Sequence, residues 1–464
     1  MSERHRPRLH LSATTGWIND PNAPVRVGDT YHLFAQHNPA STVHGDICWL
    51  HWSSTDLVTW TERPVALTPR PDGPDAAGCW SGSAVLVGGE PWLLYSGYRS
   101  DAMHQSVCLA RPAPDGVTWI AGRAPVVATP PQEVTMFRDP YGWGSEGDYR
   151  MVIGAGLPEG APCCLLMTSP DLVDWTPRGL LLTGTDPVFS GQWVGEGWEC
   201  PSLVPLGDRW LLVMSAWSPD RLDHVAFTVG DIVGDRLVAQ RAGRLDHGPD
   251  FYAATTMADG DRVLMWAWSW EARSQADVAA DGWAGVLTAP RALSLGSDGR
   301  LIQYPAAELL GLRGAGRESL GLRLLDCERL LDARAGAHLD LEVRLSVPPG
   351  GRAWVRLLTD ALATEATLIT YDAGAGEVSL DRNHSSRRAG TLGGRYAVPV
   401  TEDADGGVEL RVLVDGSIVE LFVAGACLTA RVYPDGEDSI GLVVGAEGEA
   451  ARVDVRWWPL LLIR

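Results

Sequence analysis

Lysine is missing from this chain: all 38 basic residues are arginine, against 58 acidic ones, which leaves a formal net charge of −20. A field of that sign repels nucleic acid and anionic lipid, so neither is expected as a partner. Also missing is any apolar run long enough to span a bilayer, and the opening Met1-Ser-Glu-Arg-His-Arg-Pro7 carries no apolar stretch of the kind that precedes export cleavage. The expectation is a cytoplasmic protein without membrane contact. The eight cysteines include the adjacent Cys163 and Cys164 but no Cys-x-x-Cys pair and no zinc-finger spacing to histidine. They read as small buried hydrophobes, so no disulfide framework, metal site or cofactor is expected. Charged residues are only 21% of the sequence and apolar ones 45%, which excludes long disorder.

What is present is a repeat. A polar entry, a short strand, a glycine or acidic turn and a strongly apolar strand recur five times before residue 300. The apolar strands are Tyr31-His-Leu-Phe34, Trp92-Leu-Leu-Tyr95, Tyr149-Arg-Met-Val-Ile153, Trp210-Leu-Leu-Val-Met214 and Arg262-Val-Leu-Met-Trp266. Turns at Gly28-Asp29, Gly89-Glu90, Gly147-Asp148, Gly207-Asp208 and Gly260-Asp261 precede them. A period of about 50 to 60 residues gives one multistranded sheet per unit, the pattern of a five-bladed β-propeller. A second echo, Ser-x-Asp-Leu-Val-x-Trp, ends at Trp60 and again at Trp175, which predicts equivalent outer turns in two blades.

At 464 residues the chain exceeds what one core usually supports. The propeller is expected over 1–304, a short helix and linker over 305–318, and a second all-β domain over 319–464. The helix is read in Pro305–Leu312 and the linker in Gly314-Ala-Gly316. Beyond it Leu339, Leu341, Val343, Leu345 and Val347 alternate with polar residues, as do Val453, Val455 and Trp457. A hairpin is predicted to turn at Asp415-Gly416. Such strands, with almost no helical periodicity, argue a β-sandwich.

Three carboxylates share one phase of the repeat. Asp20 in Gly16-Trp-Ile-Asn-Asp-Pro-Asn22, Asp139 in Met136-Phe-Arg-Asp-Pro140 and Glu199 in Trp198-Glu-Cys-Pro201 each precede the apolar strand of their unit by about ten residues. In a radial array equal phase means equal position around one axis. Two carboxylates flanking a glycosidic carbon are the usual means of cleaving it, one attacking or activating water and one protonating the leaving oxygen. The acid must hold its proton near neutrality, and a negative neighbour favours that.

Together these motifs resemble the three signatures of glycoside hydrolase family 32, the invertase and fructan hydrolase family. Tyr31-His-Leu-Phe-Ala-Gln-His-Asn-Pro39, Cys79-Trp-Ser-Gly-Ser83, Asp250-Phe-Tyr252, Gly282-Trp283 and Val414-Asp-Gly-Ser-Ile-Val-Glu-Leu-Phe422 extend the resemblance over nearly the whole chain. It implies a five-bladed propeller with an appended sandwich, acting with retention on β-fructofuranosides. By the same resemblance Asp20 would be the nucleophile, Glu199 the acid/base and Asp139 the transition-state stabiliser. Arg138, Asn19 and Gln36 would line the subsite, with Ser81, Trp17, Trp49, Trp80 and Trp283 in the adjoining motifs, and Asp250 would cap a blade or bond a substrate hydroxyl. Ala23, where the family usually has glycine, and Trp49-Leu50-His51, in place of Trp-Gly-His, are departures expected near the pocket rim.

The expected reaction is hydrolysis of terminal β-D-fructofuranosyl residues from sucrose or short fructo-oligosaccharides through a covalent fructosyl-enzyme. Alternatives are a fructosyltransferase using the same intermediate, a sucrose-6-phosphate hydrolase, an inverting arabinofuranosidase and a non-catalytic sugar-binding propeller. The expected partner is a small-molecule carbohydrate, and a homodimer is compatible with the appended sandwich.

Overall fold

The computed structural model describes residues 3–99 and 103–461; Met1 and Ser2 of the opening stretch lie outside it. Five sheets form the blades of a propeller. Blade I is Gly16–Val27, Thr30–Asn38, Cys48–Ser54 and Thr61–Leu67. Blade II is Gly78–Val87, Glu90–Tyr98, Ser106–Pro112 and Trp119–Ala121. Blade III is Met136–Ser145, Asp148–Gly156, Pro162–Ser169 and Thr176–Thr183. Blade IV is Gly197–Leu206, Arg209–Ser218, Arg221–Val233 and Arg236–Arg244. Blade V is Tyr252–Asp259, Arg262–Ser269, Arg291–Leu295 and Leu301–Pro305, with the short strand Val286–Leu287 also paired to Arg262–Ser269.

The five apolar runs are the second strands. Each is covered on both faces by neighbouring blades, which is why it reads as a continuous hydrophobic run without alternation. A two-residue hairpin turn leads into each, at Gly28-Asp29, Gly88-Gly89, Glu146-Gly147, Gly207-Asp208 and Gly260-Asp261. Each turn carries a glycine at positive φ, the conformation such turns demand. In blades II and III the turn falls one residue earlier than the sequence suggested. The two Ser-x-Asp-Leu-Val-x-Trp segments do form matching turns. Asp56 accepts from the backbone N–H of Val58 and Thr59 and Asp171 from those of Val173 and Asp174, while Leu57 and Leu172 take φ of 63° and 67°.

The first strand of each blade packs against the first strands of its neighbours around the axis. The ring closes where Trp283-Ala284 pairs in parallel with Gly16-Trp17. Ahead of it runs a short α-helix, Gln275–Asp281, capped by Ser274 and ended by Gly282 in the left-handed conformation. Sequence periodicity gave no sign of this helix. The helix expected over Pro305–Leu312 is a 3-10 helix, Ala307–Leu312. Among the described residues no helix is long and apolar enough to cross a membrane.

From Arg317 onward the chain forms two six-stranded sheets packed face to face. Leu341, Val343, Leu345, Val355, Ile369, Val412, Val444 and Val455 fill the space between them. The predicted hairpin joins Val408–Asp415 to Ile418–Val423, with Gly416-Ser417 as its loop. The sandwich meets the propeller through a buried ionic network. Arg291 of blade V reaches Asp246 at 2.9 Å and Glu420 at 2.6 Å. His10 lies between Asp415 and Glu420 at 2.9 and 3.0 Å, and the backbone N–H groups of Arg8, Leu9 and His10 also point at Asp415.

Candidate active site

All five first strands break register at the same depth: between Ile18 and Pro21, Trp80 and Gly82, Arg138 and Tyr141, Glu199 and Ser202, and Tyr252 and Thr255. A bulge re-aims side chains that a regular strand would alternate, and such breaks gather beside active sites. Asp139, Cys200 and Ala253 sit at φ of 64°, 47° and 52° at three of them. Pro140 and Pro201 occupy the second bulge positions of blades III and IV, where no ladder N–H is needed, and Pro21 directly follows the bulge of blade I. Backbone strain thus accompanies two of the acids, at Asp139 itself and at Cys200 beside Glu199.

Asp20 is held from several directions. Its Oδ1 accepts from Asn19 Nδ2 at 3.0 Å, and its Oδ2 accepts from Ser81 Oγ at 2.5 Å, Gln36 Nε2 at 3.1 Å and the Cys200 thiol at 3.5 Å. Asn19 also receives the indole N–H of Trp17 at 3.0 Å and donates to Gln36 at 3.3 Å. Asp139 is buried. Its Oδ2 accepts from the Cys200 backbone N–H at 2.9 Å and from the thiol at 3.6 Å, and Ser96 receives its N–H at 2.7 Å. Cys200 thus touches both aspartates. Its neighbour Glu199 accepts at Oε1 from Arg138 Nε and Nη2 at 3.0 and 2.9 Å, and at Oε2 from the Tyr252 hydroxyl at 2.7 Å.

Arg138 is stacked between Trp80 and Trp217, with its guanidinium 5.9 and 5.1 Å from the ring centroids. Trp80 in turn stacks on Tyr98 at 4.2 Å and meets His44 edge-on. The electrostatics follow from crowding. Burial, only partly offset by hydrogen bonds such as that from Ser81 and reinforced by the Glu199 charge, raises Asp20 to about 6. Burial, with Arg138 opposing and the charges of Glu199 and Asp20 adding, raises Asp139 to about 7. Three acids this close together resist carrying three negative charges at once.

The geometry therefore gathers Asp20, Asp139, Glu199, Asn19, Gln36, Ser81, Arg138, Trp17 and Trp80. It leaves three expected residues elsewhere. Trp49 is fully buried between blades I and II, packed on Phe34 and Tyr95, its indole N–H given to the Cys79 carbonyl at 3.1 Å. Trp283 is fully buried at the closure of the ring, with Arg6 and Arg273 4.7 and 4.8 Å over its indole. Asp250 is spent on the sandwich, pairing with Arg382 and accepting the Arg431 N–H at 2.7 Å, while its other oxygen takes the Trp270 indole N–H at 3.0 Å. The Trp49-Leu50-His51 departure is likewise internal, since His51 stacks on Phe34 at 4.5 Å and contacts His32 at 2.9 Å. Sequence reasoning missed Tyr252 and Cys200. Tyr252 opens the first strand of blade V, the same phase that exposed the acids, so the repeat rule carried through all five blades would have found it.

Residues 10–305 match the family model described as the Glycosyl hydrolases family 32 N-terminal domain, and residues 312–459 match the Glycosyl hydrolases family 32 C terminal. The chain belongs to glycoside hydrolase family 32. A sucrose-6-phosphate hydrolase of Escherichia coli is 32% identical over 98% of this chain and 94% of its own length. A fructan 1-exohydrolase of Hordeum vulgare is 31% identical over 93% of this chain and 83% of its own. The crystal structure of fructan 1-exohydrolase IIa from Cichorium intybus superimposes with a TM-score of 0.88 at 26% identity, covering 99% of this chain and 98% of that one. The family 32 assignment makes the chain a glycoside hydrolase of the invertase type.

Proposed function

We propose that this family 32 enzyme hydrolyses terminal β-fructofuranosyl units of sucrose and short fructo-oligosaccharides with retention. Asp20 attacks the anomeric C2 while Glu199 protonates the departing oxygen. Glu199 then takes a proton from water as that water releases fructose, so each carboxyl ends as it began. Asp139 holds fructosyl hydroxyls and stabilises charge developing on the ring. Asn19, Gln36 and Ser81 fix the nucleophile, and Arg138 fixes the acid/base. The observation that carries the reading is the convergence of Asp20, Asp139 and Glu199 on bulged first strands of three blades, bridged by Cys200. A solved relative from the same family, 26% identical to this chain, was crystallised in complex with 1-kestose, which supports a fructoside as the ligand.

Asp20→Asn is expected to abolish turnover nearly completely, and Glu199→Gln to lower it by about 10²–10⁴-fold on sucrose. Full activity in purified Asp20→Asn protein would sink the assignment. Transfer to methanol tests the stereochemistry: retention yields the methyl β-fructofuranoside. A panel of sucrose, sucrose 6-phosphate and 1-kestose separates the main reading from the phosphorylated alternative, which the names of several relatives favour. A cytoplasmic setting belongs to the proposal, supported by eight cysteines that are all free thiols.

A further inference from the structure

The Tyr252 hydroxyl has one proton and two acceptors within reach, Glu199 Oε2 at 2.7 Å and the Ala216 carbonyl at 3.2 Å. It can therefore serve the acid/base in both of its states. When Glu199 is a carboxylate, the phenol donates to it. When Glu199 carries its proton, the phenol O–H turns to the Ala216 carbonyl and presents a lone pair to the carboxylic acid. Neither state leaves a buried polar group unsatisfied, and Tyr252 keeps its own proton throughout. Burial and the Glu199 charge hold the phenol well above its usual range, so it stays protonated.

Tyr252 is in turn fixed from outside the propeller. Its ring packs on Trp270 at 5.8 Å, and the Trp270 indole donates to Asp250, two residues before Tyr252. The other Asp250 oxygen belongs to the sandwich, through the Arg382 guanidinium and the Arg431 N–H. Asp250 and Arg382 are both almost fully shielded from solvent, so removing one partner strands a buried charge and disturbs the site more than breaking a surface ion pair would. A continuous chain of contacts thus runs from the second domain to the acid/base: Arg382, Asp250, Trp270, Tyr252, Glu199.

We propose that Tyr252 is the positioning residue of the acid/base and that the sandwich domain holds it in register through the Arg382–Asp250 pair. The inference rests on Glu199 being the acid/base. It assigns the second domain a part in catalysis, the alignment of the proton donor. Other groups near Glu199 are Asp20, Asp139, Arg138, Cys200 and His44, so the pH response of Tyr252 variants must be read against theirs.

The test compares sucrose with p-nitrophenyl β-fructofuranoside, whose leaving group needs little help from an acid. Tyr252→Phe is expected to lower kcat on sucrose by roughly 10–100-fold, the loss of one hydrogen bond to a charged group. KM should stay within about threefold, the alkaline limb of the pH profile should move, and the loss on the aryl substrate should be much smaller. Arg382→Gln should give a weaker loss of the same kind, Arg382→Lys should recover most of it, and adding Arg382→Gln to Tyr252→Phe should cost nothing more. Equal losses on both substrates, an unmoved pH profile, or additive effects in the double variant would overturn the inference. Should Arg382→Gln fail to fold, Tyr252→Phe and Arg382→Lys decide it. Glu199→Gln run alongside separates the two failures: if it too ignores the leaving group, the acid/base reading falls first.

Discussion

Asp20 and Asp139 share a predicament, because each is buried beside other negative charge and each is raised, to about 6 and about 7. A carboxyl whose folded value lies above its unfolded one supports folding below about pH 4 and withdraws that support as pH rises through the folded value. Asp139→Asn is therefore expected to raise the melting temperature at pH 8 and to change it little at pH 4, while lowering turnover. Removing one negative neighbour also makes Asp20 easier to ionise. The acid limb of kcat/KM, expected near pH 6 in the parent, should shift to lower pH in Asp139→Asn, and a pH–rate profile from 4 to 9 reads it. A different residue carries a purely conformational cost. Ala23 is buried at φ of 48°, a region that costs a residue with a Cβ about 1–2 kcal/mol. Part of the gain from glycine is lost to its freer unfolded chain. Ala23→Gly should stabilise the protein by up to about 1 kcal/mol in denaturant titrations without altering kcat.

At the scale of strands and turns, the sequence was most informative where backbone geometry restricts residue choice. Positive φ in a two-residue hairpin requires glycine, so Gly28, Gly207 and Gly260 marked their turns correctly. Proline marked the bulges for the converse reason, and with them the acids. Less legible were features fixed by partners distant in the chain. Trp49 and Trp283 stand beside site motifs in sequence, yet Trp49 lies between two blades and Trp283 at the ring closure against the sandwich's Ile418, and side-chain direction past a bulge cannot be read from alternation. Asp250 was set apart by Arg382, 132 residues away. The helix Gln275–Asp281 spans two turns, too few for a period to register. One close approach gives a test at this scale. A Cβ on Gly154 would lie 2.1 Å from the Trp198 carbonyl oxygen, next to Glu199. Gly154→Ala must push blades III and IV apart, and is expected to cost about 2 kcal/mol or more and to depress kcat together with stability.

Over the whole molecule, the two domains are joined by ions and not by an apolar seam alone. Arg291 is buried between Asp246 and Glu420, so Arg291→Met strands two carboxylates and should destabilise by roughly 3–5 kcal/mol. The pH response has two edges. Burial opposes the charged forms of Asp415, Glu420 and Glu271, but His10 and His338, Arg291, and Arg431 with Arg273 outweigh it. Asp415 and Glu420 are held below the usual carboxylate range and Glu271 at about 2. Their contribution is present above about pH 4 and lost as pH falls. Burial also opposes the charge on His10, yet its bonds to Asp415 and Glu420 raise it to about 9. That contribution is full below about pH 6.5 and lost as pH rises through 9. A melting scan should therefore show the domains most firmly joined between about pH 5 and 6.5, with His10→Asn flattening the alkaline edge and, because His10 also holds Asp415 and Glu420 low, weakening the acid edge.

The absence of lysine acquires a chemical meaning beside this activity. An enzyme that liberates fructose works in a growing concentration of a reducing sugar, whose open-chain carbonyl condenses with primary amines. Guanidinium groups, which stay charged, are poor partners for that condensation, and they fill every lysine-or-arginine position in this protein. Prolonged incubation with concentrated product should accordingly leave the intact mass of the side chains almost unchanged, where a lysine-bearing protein would accumulate adducts.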